Sequence, residues 1–500
     1  MSDVFANLIF GFGIALTPEN LLFCLIGALL GTLVGVLPGL GPVATIAMLL
    51  PITFTLPPVA ALIMLAGLYY GAQYGGSTTA ILVNIPGESS SVVTCIDGHE
   101  MAKNGRAGAA LTVAALGSFF AGCVATLIIA AFSGPLVRVA DTFRSPDYFA
   151  LMVSGLVAAV VLAQGSVVRA IAMVALGLFL GSVGTDNASG QTRFTFDIPA
   201  LADGIGFVPV AMGLFGIAEI VRNLEKHAGR PERQPLTSLW PTREETRRSI
   251  PAVLRGTALG SLLGILPGGG ALVAAFAAYV LEKKVAADPT RFGRGAIEGV
   301  AAPESANNAG AQTSFIPLLA LGIPPNAVMA LMLGAMTIHG IVPGPKVMVE
   351  RPDLFWGMIA SMLVGNLMLV IINLPLIGLW VKLLAIPYRW LYAIILVFCC
   401  IGVYSVTNAT TDIVIMALFG VIGYVLPKIG CEPAPLILGF ILAPMLEENF
   451  RRSLILSRGD WMVFLERPIA AGLLAASLVM VAVVLLPAIR RTRAVAFQED

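Results

Sequence analysis

The first half of the chain contains Gly31-Thr-Leu-Val-Gly35-Val-Leu-Pro38-Gly39-Leu-Gly41, and the second half repeats it as Gly260-Ser-Leu-Leu-Gly264-Ile-Leu-Pro267-Gly268-Gly-Gly270, 229 residues further on (260 minus 31). A second pair of motifs keeps the same order: Gly71-Ala-Gln73 with Ile85-Pro86-Gly87, then Gly310-Ala-Gln312 with Ile323-Pro324-Pro325. Self-similarity that keeps its order along the chain predicts a duplication.

The composition around these motifs is that of a membrane protein. Of the 500 residues, 57% are apolar and 12% are charged, whereas a soluble domain has about 25% charged residues. The formal net charge of +1 leaves no basic surplus for binding nucleic acid. Runs without Asp, Glu, Lys or Arg lie at 20–87, 107–137, 148–168, 256–281, 305–345, 354–381, 390–411 and 468–489, with weaker ones at 170–185, 204–218, 413–427 and 433–446.

Because a crossing needs about 20 apolar residues, these runs predict an all-α polytopic membrane protein with about 10–14 transmembrane or re-entrant helices. Neither a separate soluble domain nor a cleavable signal peptide is expected, since no basic segment precedes the first run.

The distribution of basic residues predicts the orientation. No Lys or Arg precedes Lys103, whereas residues 222–255 contain eight, and cytoplasmic loops are enriched in these residues. With that linker inside and the N-terminus outside, the two copies enter the membrane from opposite sides, which defines an inverted repeat. The predicted parts are a first membrane repeat (15–222), a cytoplasmic basic linker (223–250), a second membrane repeat (251–467), an extra C-terminal transmembrane helix (468–489) and a cytoplasmic tail (490–500).

The Pro-Gly motifs are predicted to break their helices at matching places. Backbone groups freed by Pro and Gly are costly in hydrocarbon, so such breaks survive where protein or a water-filled cavity satisfies them. The helix that starts after a break offers N–H groups and a partial positive charge to an anion. The alternative is that these glycines only permit close helix packing.

Polar side chains follow both breaks and are expected to line a cavity. The candidate substrate-binding residues are Pro38, Gly39, Gly41, Ser77, Thr78, Asn84, Gly87, Gly268, Gly269, Gly270, Ser305, Asn307, Asn308, Thr313 and Ser314. The candidates for a coupling ion are Glu304, Glu88, Asn307 and Gln312, since amides can ligate sodium and a carboxyl group can carry a proton. The alternative for both glutamates is a structural cap or ion pair at the membrane surface.

Other chemistry has little support in the sequence. The six cysteines form no C-x-x-C pair, so no metal site other than one for sodium and no cofactor are expected. Asp97, Lys103 and Arg106, with Arg291 and Arg294 in the matching loop, are expected to be solvated surface charges. His99-Glu100-Met-Ala-Lys103 lacks the second histidine of a zinc motif.

Three segments resemble the large membrane subunit of the tripartite tricarboxylate transporter family (TctA-like), and the resemblance covers about residues 15–490. They are Leu37-Pro-Gly-Leu-Gly-Pro42, Asn84-Ile-Pro-Gly-Glu-Ser-Ser90 with Cys95-Ile-Asp-Gly98, and Glu298-Gly-Val-Ala-Ala-Pro-Glu-Ser-Ala-Asn-Asn308. Pro325 departs from the pattern, which has a glycine there.

The resemblance implies ion-coupled uptake of di- or tricarboxylates or related organic anions, with Na+ or H+ as the coupling ion. It further implies a small membrane subunit and a periplasmic solute-binding protein as partners, in the inner membrane of a bacterium. The residues alone predict a secondary transporter in the lipid bilayer. A passive anion channel, a membrane scaffold and, less well supported, an intramembrane enzyme are the alternatives.

Overall fold

The computed structural model describes residues 2–37, 41–140, 142–163, 166–186, 189–225, 239–266, 270–344, 346–383 and 388–485. Within these ranges the chain is helical almost throughout, and the only strands form a short hairpin of β1 (Gly184–Thr185) against β2 (Thr192–Arg193). The prediction of an all-α fold is confirmed.

The helices before the basic linker are α1 (Ser2–Ala15), α2 (Pro18–Val36), α3 (Pro42–Thr53), α4 (Pro58–Val83), α5 (Val92–Lys103), α6 (Ala107–Ala140), α7 (Ser145–Leu162), α8 (Val167–Gly181), α9 (Phe207–Ala211) and α10 (Ala218–Glu225). A π-helical segment, Met212–Ile217, joins α9 to α10, and 3-10 turns lie at Ser89–Ser91 and Pro199–Leu201.

The helices after the linker are α11 (Arg243–Gly264), α12 (Gly270–Val285), α13 (Glu298–Thr313), α14 (Phe315–Leu321), α15 (Ala327–Ile338), α16 (Val347–Glu350), α17 (Pro352–Asn373), α18 (Ile377–Leu383), α19 (Tyr388–Thr407), α20 (Thr410–Lys428), α21 (Pro433–Leu456), α22 (Val463–Glu466) and α23 (Pro468–Leu485). A 3-10 turn at Pro289–Arg291 lies between α12 and α13.

Several helices are long and apolar enough to cross a bilayer. Among the described residues these are Pro18–Val36, Ala107–Phe132, Phe207–Glu225, Pro352–Asn373 and Thr410–Lys428. Shorter apolar helices are Val4–Ala15, Pro42–Thr53, Ser145–Val161, Val167–Gly181, Ala327–Ile338, Ile395–Thr407 and Pro468–Val483. The protein is therefore a polytopic membrane protein, while the number of crossings, the repeat boundaries and the inverted orientation stay predictions.

A helix ends shortly before each Pro-Gly motif, and another begins shortly after it. In the first half α2 ends at Val36 and α3 begins at Pro42, and in the second α11 ends at Gly264 and α12 begins at Gly270. Pro42 suits the first turn of a helix, where no backbone N–H is needed. The 12 residues of α3 span about 18 Å, less than the roughly 30 Å hydrocarbon core of a bilayer.

A row of glycines, which we call the glycine seam, packs α2 in the first half and α11 in the second closely against a later helix. A Cβ atom at Gly31 of α2 would lie 2.3 Å from the carbonyl oxygen of Leu68 in α4, and one at Gly260 of α11 would lie 2.2 Å from that of Ala306 in α13. The neighbouring glycines at 27 and 35, and at 256 and 264, make the same kind of approach. The glycines therefore do permit close helix packing, in both halves.

In each half a helix near the glycine seam is followed by a residue with left-handed backbone conformation. Asn84 closes α4 with φ 56°, and Gly322 closes α14 with φ 69°, both in the left-handed region. Ile-Pro follows in each half, and then Glu88 or Asn326 caps the next helical turn. Equivalent positions in this part of the two halves are 238 residues apart (322 minus 84, 326 minus 88), and so are the seam partners Leu68 and Ala306. The motifs Gly71-Ala-Gln73 and Gly310-Ala-Gln312 are 239 residues apart, so they are not structurally equivalent residue by residue.

The element bounds differ from the predicted parts at two places. The apolar helix α1 precedes residue 15 and packs against α17. The helix α11 begins inside the predicted linker, because Thr242 and Glu245 form a capping box: Thr242 Oγ1 accepts from the backbone N–H of Glu245 at 3.2 Å, and the Glu245 carboxylate accepts from that of Thr242 at 2.6 Å. Residues 226–238 of the linker and the tail at 490–500 lie outside the described residues.

Candidate functional site

Each turn that follows Ile-Pro reaches a long helix of the other half. Asn307 Nδ2, on α13, donates to the Glu88 carboxylate at 3.2 Å. In the other direction Asn326 Nδ2 donates to the Tyr69 hydroxyl, on α4, at 3.5 Å. Because 69 and 307, like 88 and 326, are 238 apart, the same contact is made twice with different side chains. The two halves therefore meet through a reciprocal pair of partly buried polar contacts.

Glu304 lies within the same region, one turn before Asn307 on α13. Its side chain is fully buried, and its carboxylate accepts from the Ser77 hydroxyl of α4 at 2.5 Å and from the Thr94 hydroxyl of α5. Among the described residues no Lys, Arg or His forms a hydrogen bond or ion pair with it. Two helices of the first half thus hold an acidic group of the second.

Further polar contacts extend this cluster. Asn308 Nδ2 donates to the Ser118 hydroxyl of α6 at 2.7 Å and to its own helix at the Glu304 carbonyl. Ser90 Oγ donates to Gln73 Oε1 at 3.1 Å and also contacts the Glu88 carboxylate. Five elements (α4, α5, α6, α13 and the 3-10 turn) therefore contribute to one buried polar centre, which we call the central cluster: Gln73, Ser77, Glu88, Ser90, Thr94, Ser118, Glu304, Asn307 and Asn308.

The structure brings only some of the predicted residues together. Ser77, Glu88, Glu304, Asn307 and Asn308 lie in the central cluster. Gly87 packs beside it, since a Cβ there would lie 2.2 Å from the Gly35 carbonyl oxygen, and Gln312 is buried with both amide atoms lacking a partner in the described chain.

Other predicted residues lie elsewhere. Asn84 is exposed at the end of α4, while Ser305, Thr313 and Ser314 bond to carbonyls of their own helical turns. Among the described residues no hydrogen bond joins Gly41 or Gly270 to the central cluster. Pro38, Gly39, Gly268 and Gly269 lie outside the described residues, so the predicted approach of helix N-termini to an anion stays a prediction.

A small cavity opens beside the central cluster. Its lining residues are Tyr74, Ser77, Thr78, Leu111, Ala114, Ala115, Ser118, Asn373, Leu374 and Ile377. The centre of a water molecule can occupy about 20 Å³ of it, which is room for one or two waters. The cavity is too small for a dicarboxylate.

Several members of this region were not predicted as site residues. Tyr69 and Thr94 are ordinary helix residues by pattern, and only the tertiary contact reveals them. Asn366 and Asn373 of α17 are buried amides inside the charge-free run 354–381. Their polarity within an apolar run was the available signal, because such groups need partners in a membrane.

The expectation that Asp97 is a solvated surface charge is wrong. It is fully buried on α5 and accepts three backbone N–H groups, from Gly293, Gly295 and Ala296, at 2.8–2.9 Å. The Tyr279 hydroxyl donates to its second oxygen at 2.9 Å. Asp97 thus fixes the loop that leads into α13.

The central cluster consists of seven neutral polar side chains and the carboxyl groups of Glu88 and Glu304. In the described part of the chain no three His, Cys, Asp or Glu side chains cluster as metal ligands. Polar side chains buried in an apolar helical bundle, on helices that break within the apolar region, are the features of a polytopic membrane transport protein.

The chain belongs to the tripartite tricarboxylate transporter TctA family, whose pattern matches residues 21–438. This is a family of transporters and not of enzymes, and it confirms the resemblance to the large membrane subunit. The chain is 59% identical, over all of both sequences, to an uncharacterized 52.8 kDa protein in the TAR-I ttuC' 3'region of Agrobacterium vitis. It is 60% identical over 48% of its length to the whole of an uncharacterized protein in the TAR-II ttuC' 3'region of the same organism. No solved structure matches it.

Proposed function

We propose that the chain is the permease subunit of an uptake system for di- or tricarboxylates or related organic anions, driven by a Na+ or H+ gradient. It acts with a small membrane subunit and a periplasmic solute-binding protein in the bacterial inner membrane. The family supports a transporter of this kind, and the proposed substrate, ion and partners extend it.

The reciprocal contact between the halves carries the proposal. Glu88 with Asn307 and Asn326 with Tyr69 join the two turns to the two long helices. A movement of one half against the other must break or remake these polar contacts, which is how access to a site between them can change sides. A membrane scaffold does not require polar side chains of this kind in the contact between its two halves.

We expect an anion bound between the two halves to be held by uncharged hydrogen-bond donors. Besides the carboxyl groups of Glu88 and Glu304, the central cluster contains hydroxyl and amide groups and no Lys or Arg. A carboxylate substrate would therefore be held by side-chain donors and by the N–H groups of broken helices, next to a protonated or cation-paired glutamate. Substrate-binding roles for the predicted glycines and polar residues follow from this proposal.

The test is uptake of a labelled panel of di- and tricarboxylates by cells that express the chain with its small subunit and binding protein. Sodium and proton gradients are imposed separately. Accumulation that follows one gradient and requires the binding protein supports the proposal. Equilibration without accumulation would identify a passive channel, and no movement of any carboxylate would remove the substrate class.

A further inference from the structure

Glu304 is the buried glutamate of the second half that has no ion pair among the described residues. Its carboxylate has two hydroxyl donors, Ser77 and Thr94, and within the described residues no cationic partner. The other buried glutamate of this half, Glu282, is paired with Arg255 at 2.6 Å. An unpaired carboxylate in an apolar interior is strongly disfavoured unless a cation neutralises it. The site therefore calls for a proton or a metal cation.

The cavity gives this carboxylate a connection to water. Ser77 both donates to Glu304 and lines the cavity. Two other lining groups, the Tyr74 hydroxyl and the side-chain amide oxygen of Asn373, have no hydrogen-bond partner in the described chain. The two residues are buried, with 4% and 5% of their surface exposed. Buried polar groups of this kind are satisfied by water. One or two waters in the cavity would reach the Ser77 hydroxyl.

The corresponding place in the other repeat has no such group. With the offset of 238 residues between the halves, Glu304 corresponds to Ala66, Ser77 to Phe315 and Thr94 to Met332. All three are buried and apolar. The duplicated fold therefore provides two equivalent places, of which one carries a carboxylate.

We propose that Glu304 is the proton-carrying group of the transporter, loaded from water in the cavity through Ser77. This deepens the proposed function and rests on it. A hydronium ion in the cavity gives a proton to the Ser77 oxygen while the hydroxyl proton passes to the Glu304 carboxylate. A water molecule, an intact serine and a neutral carboxylic acid result, and the reverse transfer releases the proton.

A proton fits this site better than sodium does. A hard metal cation prefers a shell of several oxygen ligands, whereas the two oxygens hydrogen-bonded to the carboxylate belong to donating hydroxyls. The titratable groups that face Glu304 are Glu88 of the 3-10 turn, Cys95 of α5 and Tyr74 of α4. Cysteine and tyrosine side chains are ordinarily protonated at neutral pH, and a negative Glu88 adds to the need to neutralise Glu304. Glu298, on the same helix, is paired with Arg291.

The test is infrared difference spectroscopy of the purified full chain in lipid nanodiscs, recorded while the pH is changed without any transport substrate. We expect a protonated-carboxyl band that titrates in the wild type, is lost in Glu304→Gln and persists in the matched variant Glu88→Gln. Ser77→Ala, which removes one hydrogen bond, should keep the band but shift its position, and it serves if Glu304→Gln does not fold.

Sodium is compared with choline at constant pH. A band that persists in Glu304→Gln, or one that sodium removes in the wild type, would overturn the proton assignment. Because the measurement needs neither substrate nor partner subunits, its failure is distinct from a failure of uptake, which would count against the proposed function.

Discussion

Substitution of Asp97 tests whether the loop before α13 is held by a single buried carboxylate. One Asp97 oxygen accepts the backbone N–H groups of Gly293, Gly295 and Ala296, and the other accepts the Tyr279 hydroxyl. Gly293 and Gly295 have φ of 84° and 95°, in the region that favours glycine, and so aim successive N–H groups at one point.

The magnitude follows from these four bonds. A hydrogen bond to a charged group contributes about 1.5–3 kcal/mol, so Tyr279→Phe should lower the free energy of unfolding by about that amount. In Asp97→Ala the Tyr279 hydroxyl and three N–H groups lose their acceptor. Ala296 is buried, Gly295 is half-buried and Gly293 is exposed, so the cost of an unsatisfied donor, about 1–3 kcal/mol, applies in full at Ala296 only and adds to the lost Tyr279 bond. Asp97→Asn keeps an acceptor without the charge and should fall between the two.

The assay is thermal unfolding of the purified chain in detergent, with uptake by the assembled system alongside. Glu100→Gln is the matched control on the same helix, because Glu100 forms an exposed pair with Lys103 that is worth at most about 1 kcal/mol. We expect the unfolding temperature to fall in the order Glu100→Gln, Tyr279→Phe, Asp97→Asn, Asp97→Ala, from the smallest loss to the largest. Equal unfolding temperatures for Asp97→Ala and Glu100→Gln would refute the reasoning.

Three further predictions concern packing, the joint and a second buried charge. Gly31→Ala places a Cβ 2.3 Å from a carbonyl oxygen and should destabilise the protein by about 1–3 kcal/mol in thermal unfolding. The control Gly472→Ala, with no described atom within 4 Å of its Cβ, should not destabilise it. Equal shifts of the unfolding temperature in the two variants would contradict close packing at the glycine seam. Asn307→Ala should abolish uptake while expression is kept, because Glu88 loses its amide donor, and wild-type uptake would assign Asn307 a structural role only. Arg467→Leu leaves the fully buried Asp147 without its cation and should cost about 3–5 kcal/mol, as measured by the unfolding temperature; no change would show that the backbone donors suffice.

The sequence predicted features that depend on local chain chemistry. The helix interruptions at the two Pro-Gly motifs follow from proline and glycine themselves, and α2 ends and α3 begins where those residues fall. The turns after Asn84 and Gly322 likewise follow from residues that tolerate the left-handed region. Membrane character followed from charge-free runs alone.

What the sequence could not supply is which side chains meet across the two halves. Thr94 lies 210 residues from Glu304, and nothing in its neighbourhood marks it as a partner. Asp97 lies in the polar stretch 88–106, which in isolation is typical of a surface, while the N–H groups that donate to it come from a loop almost two hundred residues away. Contacts of this kind depend on packing between repeats, and a local pattern does not contain them.

The two halves are alike where their helices pack closely and differ at particular buried positions. Where the halves must pack, they remain alike: the seam glycines Gly31 and Gly260 are retained because any side chain would meet a backbone carbonyl. At two positions of the central cluster they differ, since Glu88 corresponds to Asn326 and Glu304 to Ala66. A second carboxylate without a cation at the place of Ala66 would add another costly buried charge. Within the described residues the Glu304 carboxylate therefore has no counterpart in the first half, where the buried Ala66 takes its place.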